Sequence, residues 1–141
     1  MSSELGEEAS MDITGLIGQY AHGNEPSHHT TYMYAYSGEH YKIADKVRYI
    51  NNELYTDEPD GLSGNEDCGQ MSAWYILSSM GFYPVNPSNG AYVFGSPLFD
   101  EVSLNIPGQN KFKITAKNNS DENIYIQSVS LNGEDYKYSY I

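Results

Sequence analysis

Two polar stretches of this sequence contain side chains that can bind or activate a ligand. The first, at 23–29, reads GNEPSHH, and the second, at 64–75, reads GNEDCGQMSAWY. Each places carboxylates, amides or imidazoles beside glycine and aromatic residues. Such mixtures are typical of sugar and cation sites, where a few polar groups orient the ligand against a partly apolar wall. The two stretches are therefore predicted to form part of one active site.

The second stretch places two carboxylates, Glu66 and Asp67, directly before a predicted helix over 68–80. One interpretation is that both only cap this helix, whose dipole stabilises negative charge at its start. The other is a general base, an ionised carboxylate that accepts a proton from water. Glycosidases use two carboxylates, one as acid and one as base or nucleophile. The base candidate is Asp67, with Glu66 as the second choice.

The first stretch offers donors from a loop and from the start of a predicted helix over 28–37. The oxygens of Asn24 and Glu25 suit a hard cation such as calcium. The imidazoles of His28 and His29 suit zinc or sugar hydroxyls, but no other histidine or cysteine lies at a recognised zinc spacing. The alternative is that the loop only caps the helix and that the histidines pack as polar neighbours.

The composition limits the classes of partner. The chain has 141 residues, 39% of them hydrophobic and 18% charged, which is enough for one folded domain. Its formal net charge of -12 argues against nucleic acid and anionic membranes as partners, and no run is apolar enough to span a membrane. The acidic surface and the 14 tyrosines suit cations and neutral sugars, although an acidic surface can also serve solubility alone.

Apolar periodicity predicts three helices, at 28–37, 40–55 and 68–80. Ser27 is the expected N-cap of the first helix, and Gly81 is the expected C-cap of the third. The second helix has a clear apolar stripe formed by Ile43, Val47, Ile50 and Leu54.

Strand signals replace helix signals in the last third of the chain. Short alternating runs lie at 91–94, 101–106, 111–116, 124–131 and 136–140. The Asn-Gly pair at 132–133 is a strong hairpin turn signal. The fold class is therefore predicted as α+β, an N-terminal helical part followed by a C-terminal antiparallel sheet of about four or five strands. The expected divisions are a lead-in at 1–14, a helical segment at 15–87 with both polar stretches, and a β segment at 88–141.

Long motifs across the chain resemble those of a known enzyme family. They are GQYAHGNEPSHH at 18–29, YMYAY at 32–36, PDGLSGNEDCGQMSAWYILSSMGFYPVNP at 59–87, FGSPLF at 94–99 and FKITAKNNSDENIYIQSVSLNG at 112–133. In this order they resemble the C-terminal part of the glycoside hydrolase family 92 α-mannosidases.

The resemblance implies a fold and an activity. Members of the family are calcium-dependent, inverting, exo-acting α-mannosidases, often specific for α-1,2 linkages of mannose-containing glycans. They combine an N-terminal β-sandwich with an (α/α)6 barrel, of which the helical segment here would be a piece. By the resemblance, Asp67 is the catalytic base with Glu66 beside it. At position 65, where other members can carry Asp, this chain has Asn65.

The resemblance also assigns pocket residues to the first stretch. It implies that Asn24, Glu25 and Asp67 contact calcium, directly or through water. It implies that His28 and His29 contact mannose, and Glu25 and Asn65 are further substrate-binding candidates.

One departure from the family concerns the general acid. The family carries this Glu upstream of the GNEPSHH motif, and the upstream glutamates here, Glu4, Glu7 and Glu8, lie in a different context. An inverting reaction needs both carboxylates. The expectation is a C-terminal portion of a longer enzyme that is inactive alone. Its helical stripe would be uncovered, so that the isolated chain would self-associate or repack.

Two other functions stay open at this point. A non-catalytic glycan-binding module would depend on aromatic residues of the β segment, such as Tyr92, Tyr125 and Tyr138, and would not need Asp67. A purely structural piece that completes a barrel would show no ligand dependence.

Overall fold

The apolar stripe of the long helix forms the centre of the helical half. The computed structural model describes residues 13–141, so most of the predicted lead-in at 1–14 lies outside the described residues. Helix α1 spans Tyr41–Glu53, as its stripe predicted. Three members of the stripe, Ile43, Val47 and Ile50, are fully buried. They pack with Tyr32, Trp74, Tyr83 and Val93.

The chain itself therefore covers the stripe. The expectation that these residues would be uncovered was wrong, because the aromatic residues of the neighbouring elements bury them. The burial of the stripe removes the reason given for self-association of the isolated chain. Self-association itself stays an untested prediction.

Helix α2 spans Gln70–Met80 and carries the fully buried Trp74 towards the same core. It ends at Gly81, whose φ of 101° is left-handed and whose amide donates to two carbonyls of the last turn. The predicted helix at 68–80 and its glycine cap are confirmed. No helix among residues 13–141 has the length and apolarity that a membrane span requires.

In place of the helix predicted at 28–37 the chain has a 3-10 helix, Thr30–Tyr36, and a second short 3-10 helix, Glu25–Ser27, precedes it. The expected Ser27 cap is wrong. Its hydroxyl donates to the carbonyl oxygens of Ala21 and Asn24, at 2.6 and 2.8 Å, and so closes the preceding loop.

Within the described residues 13–141 the strands form four antiparallel pairs, and the α+β class is confirmed. They are β1 (Leu16–Ile17) with β2 (Tyr20–Ala21), β3 (Phe82–Asn86) with β4 (Ala91–Phe94), β5 (Glu101–Leu104) with β6 (Phe112–Thr115), and β7 (Val129–Leu131) with β8 (Glu134–Tyr136).

The single sheet of four or five strands is therefore wrong. Each pair after α2 is a local hairpin, and the 132–133 turn that closes β7 and β8 has positive φ at both residues. The runs predicted at 124–131 and 136–140 are regular strand only at 129–131 and at 136, and Tyr140 also forms an antiparallel bridge with Val93 of β4. Strand β3 was not predicted, because its residues do not alternate between apolar and polar and because Pro84 is unusual in a strand. The β3–β4 hairpin spans the predicted boundary at residues 87 and 88.

A buried arginine joins the helical half to the β half. Arg48 of α1 donates through Nε to the Ser96 hydroxyl at 2.9 Å, and through its terminal nitrogen to the Pro97 carbonyl and the Asn119 amide oxygen. The Ser96 hydroxyl in turn donates to the carbonyl of Ile124 at 2.7 Å. These bonds tie α1 to the segments that connect the β hairpins.

Candidate active site

A contact between two glycines brings the polar stretches together. A Cβ atom on Gly64 would lie 2.7 Å from the Gly23 Cα atom, and one on Gly23 would lie 2.4 Å from the Ser63 carbonyl oxygen. Real Cβ atoms do not approach so closely, so only glycine allows the two loops to touch here. Asn24 and Asn65 follow these glycines directly. The two polar stretches therefore begin next to each other in the structure.

Side chains make a second connection between the stretches through His28. Its Nδ1 atom lies 3.2 Å from the amide nitrogen of Gln70, the first residue of α2. Its carbonyl oxygen accepts from the indole N–H of Trp74 at 3.2 Å. Its Nε2 atom lies 2.8 Å from the carbonyl oxygen of His22. His28, expected to contact mannose, is thus an interior residue of this chain with protein partners at both ring nitrogens.

His22 is a buried member of the site that the sequence analysis missed. Its ring nitrogens lie 2.7 Å from the hydroxyls of Tyr20 and Tyr55, and its ring stacks on that of His28 with centroids 4.5 Å apart. A signal was present, because Tyr20 and His22 are two residues apart in an extended segment and so share a face. The partner Tyr55 is distant in sequence, and no local pattern indicated it.

Burial disfavours the charged form of both interior histidines. Burial, and to a smaller extent the neighbouring His28, lowers the pKa of His22 to about 3. Burial also lowers the pKa of His28, while the bond to the His22 carbonyl and the Glu25 carboxylate oppose that change. Neutral imidazoles suit their surroundings, which consist of hydroxyl, amide and carbonyl groups.

The two adjacent carboxylates have different surroundings. One oxygen of Glu66 accepts from the Ser72 backbone amide at 3.0 Å, and the other accepts from the Ser72 hydroxyl at 2.5 Å. These bonds, that of the hydroxyl first, lower the pKa of the Glu66 carboxyl. Both residues are exposed, but the Glu66 carboxylate is bound at the start of α2, and Asp67 begins the 3-10 turn Asp67–Gly69.

The turn after Asp67 has an unusual backbone. Cys68 has a φ of 54° and Gly69 a φ of 81°, so two consecutive residues are left-handed. Such a conformation costs energy at a residue with a side chain and occurs mainly where the surrounding structure imposes it. These two left-handed residues determine the path of the backbone between Asp67 and the first turn of α2.

The oxygen donors of the first stretch match a hard cation in their chemistry. Glu25 is half-buried, and its Oε1 atom is buried with no hydrogen-bond partner among residues 13–141. Asn24, His29 and Asn65 are exposed. Within the same residues no group of three histidine, cysteine or acidic side chains is assembled for a metal ion. The described chain thus supplies oxygen atoms suited to calcium, but not a complete ligand set.

The fold is similar to that of solved glycosidase structures. The chain is similar to a family GH92 α-mannosidase from Bacteroides thetaiotaomicron in complex with mannoimidazole, with 43% identity and a TM-score of 0.90 over 98% of this chain and 18% of that one. It is also similar to a family GH92 inverting mannosidase of the same organism, with 43% identity and a TM-score of 0.79 over 88% of this chain and 17% of that one.

A family model that matches almost the whole chain identifies its family. The glycosyl hydrolase family 92 catalytic domain matches residues 2–141, and this chain belongs to that family. A curated relative, an uncharacterized secreted glycosidase of Arthroderma benhamiae, is 34% identical over 84% of this chain and 16% of its own length. The chain thus spans less than a fifth of the length of these relatives. The resemblance inferred from the motifs is confirmed.

Proposed function

We propose that this chain is the C-terminal portion of an exo-α-mannosidase that removes terminal mannose, α-1,2-linked by preference, from glycans with inversion. Family membership and the likeness to two mannosidases support the reaction class. The observation that carries the proposal is the contact of Gly23 with Gly64, which joins the two polar stretches at one point.

Asp67 is the proposed general base. Asp67 is exposed at the start of a 3-10 turn and is accessible to a ligand. The neighbouring Glu66 carboxylate accepts hydrogen bonds from Ser72 and stabilises that turn. In an inverting glycosidase the base activates water on one face of the sugar while an acid, about 6.5–9.5 Å away, protonates the leaving oxygen on the other. We place that acid outside this chain, so the isolated chain is expected to be inactive.

The exposed residues beside the glycine contact are the proposed contacts to sugar. His29 and Asn65 can exchange hydrogen bonds with hydroxyls, and the unpaired oxygen of Glu25 can accept one. Asn24, Glu25 and Asp67 are the proposed protein ligands of calcium. When bound, calcium would supply positive charge that attracts and orients the hydroxyl oxygens of mannose.

The test of this function is mannose release from α-1,2-linked mannobiose by the full-length enzyme that contains this chain. Three samples are compared: the enzyme with calcium, the enzyme with EDTA, and this chain alone. Release by the enzyme with calcium, and by neither of the others, is expected, and NMR should show inversion at the anomeric carbon. Turnover by this chain alone would contradict the placement of the acid, and no release by the enzyme would contradict the reaction.

A glycan-binding module is the second candidate, because a row of tyrosines lies on the C-terminal segment. Tyr136, Tyr138 and Tyr140 follow one another with ring centroids 5.4 and 5.6 Å apart, and Tyr138 is 60% exposed. Exposed tyrosine rings are suited to stacking on sugars. If binding is the function, Tyr138→Ala should weaken the affinity for a mannose-containing glycan, and Asp67→Asn should leave it unchanged. The mannosidase proposal predicts the reverse dependence for turnover.

A further inference from the structure

A buried hydrogen-bonded link, here named the first link, runs through Tyr20, His22, Tyr55 and Met71. The Tyr55 hydroxyl donates its one proton to the Met71 carbonyl at 3.0 Å, so it must accept from His22 Nε2–H at 2.7 Å. The neutral His22 ring then has its lone pair at Nδ1, where the Tyr20 hydroxyl donates at 2.7 Å. Every polar group of the first link has a partner.

A second link starts from the backbone of His22. The His22 carbonyl can only accept, so the His28 Nε2 atom at 2.8 Å carries the proton. The opposite nitrogen of the His28 ring then accepts from the Gln70 amide at 3.2 Å. The same amide nitrogen donates to the hydroxyl of Tyr83 at 3.0 Å, which holds Gln70 in place.

Both links end on the first turn of α2, at two consecutive residues. Gln70 and Met71 follow Asp67 by three and four residues, and His28 follows Glu25 by three. The links therefore join the segment that carries Glu25 to the segment that carries Asp67. Trp74 lies against both rings, with centroids 4.5 Å from His22 and 5.9 Å from His28, and keeps water from the links.

We propose that His22 and His28, through Tyr55 and Gln70, are positioning residues that set the distance and angle between the Glu25 loop and the Asp67 turn. The inference rests on the proposed mannosidase function. In this proposal His28 supports the residues of the sugar site from the interior and does not contact mannose itself. The lowered pKa values of both histidines agree with this role, because an uncharged ring makes each of these bonds without a buried charge.

The test compares two tyrosine-to-phenylalanine variants. Tyr55 loses the two hydrogen bonds of its hydroxyl, and Tyr32 loses the one bond of its hydroxyl to Ser78. Tyr55→Phe removes the middle of the first link but keeps the ring that stacks on Trp74, at 6.2 Å between centroids. Tyr32→Phe is the matched control, because the Tyr32 hydroxyl donates to Ser78 at 2.8 Å and its ring also contacts Trp74, outside both links. Gln70→Met breaks the second link at a half-buried position and provides a variant with less risk of unfolding.

All variants are made in the full-length enzyme and assayed on α-1,2-linked mannobiose. A displacement of about 1 Å in a catalytic group lowers the rate about 100-fold. Tyr55→Phe and Gln70→Met should therefore lower kcat by about 10- to 100-fold, with KM within about twofold of the wild type. Tyr32→Phe should lower Tm, because it removes a fully buried hydrogen bond, and should leave kcat within about twofold. Equal loss of kcat in Tyr55→Phe and Tyr32→Phe at matched Tm would overturn the inference.

Hydrogen exchange of the amides at 64–69 provides a readout that does not need turnover. Exchange should accelerate in Tyr55→Phe and Gln70→Met but not in Tyr32→Phe. If the wild type released no mannose, the proposed function would fail, and exchange would still decide whether the links hold the Asp67 turn. Unchanged exchange in both link variants would refute the positioning role.

Discussion

Replacing Gly64 by alanine perturbs the contact on which the site depends. The new Cβ would lie 2.7 Å from Gly23 Cα and 2.8 Å from Gly23 O, where ordinary contacts begin at 3.4 Å. The two backbones must therefore separate by about 0.7 Å, since neither atom belongs to a flexible side chain. Overpacking of this kind costs about 1–3 kcal/mol of unfolding free energy. Because a shift near 1 Å can lower a rate about 100-fold, kcat/KM should fall by about 10- to 100-fold.

Gly108→Ala is the matched control for this variant. Gly108 has a φ of 74° and open space around it, so alanine there adds backbone strain without moving a neighbour. The strain costs about 1–2 kcal/mol, similar to the loss expected for Gly64→Ala. Urea unfolding and mannose release are measured for both variants in the full-length enzyme. If Gly64→Ala keeps the kcat/KM of Gly108→Ala, the glycine contact does not position the two stretches.

Three further predictions concern pH and calcium. Burial raises the pKa of Tyr32 and of Tyr55, so the folded state keeps protons that the unfolded state loses above its pKa of 10.0. The unfolding free energy should therefore fall as pH rises above 10, by about 1.4 kcal/mol per pH unit for each tyrosine, and urea midpoints that stay constant there would contradict this. The Ser72 bonds lower the pKa of Glu66 from 4.5, so their contribution is present above that pH and is lost as pH falls through the lowered value. Glu66→Gln should lower Tm at neutral pH and have less effect in acid, and equal effects at both would count against the Ser72 bonds. Calcium should raise the Tm of the full-length enzyme, and Glu25→Gln should reduce this increase. The control is Glu39→Gln, at a surface ion pair with Lys42, which should reduce the increase less. Equal reductions would show that Glu25 is not a calcium ligand.

The helices α1 and α2 were predictable because their signals are local. The stripe of α1 repeats at helical spacing, and its members Ile43, Val47 and Ile50 are the centre of the core. Gly81 ends α2 at a positive φ, as glycine at the end of a helical pattern predicts. What covers the stripe was not predictable, because aromatic residues from distant segments, among them Tyr83, supply the cover.

The residues of the site were predictable in kind but not in arrangement. Both polar stretches were identified from composition, yet the bond from His28 to Gln70 joins positions 42 residues apart. The His22 and Tyr55 pair spans 33 residues and leaves no periodic signal. The sequence favoured Asp67 over Glu66 as the base and left both open as caps, and no local pattern indicated that Ser72 would bind the Glu66 carboxylate. Contacts between loops depend on the packing of the whole helical half, which no local pattern contains.

The measurement that tests the central claim most directly is kcat for Asp67→Asn beside Glu66→Gln in the full-length enzyme. Asparagine keeps the size of Asp67 but cannot accept a proton from water, and general base catalysis contributes about 100- to 10,000-fold. Asp67→Asn should lower kcat by that factor with little change in KM. Glu66→Gln, at a residue that holds the turn, should lower kcat much less. An Asp67→Asn enzyme with wild-type kcat would contradict the account.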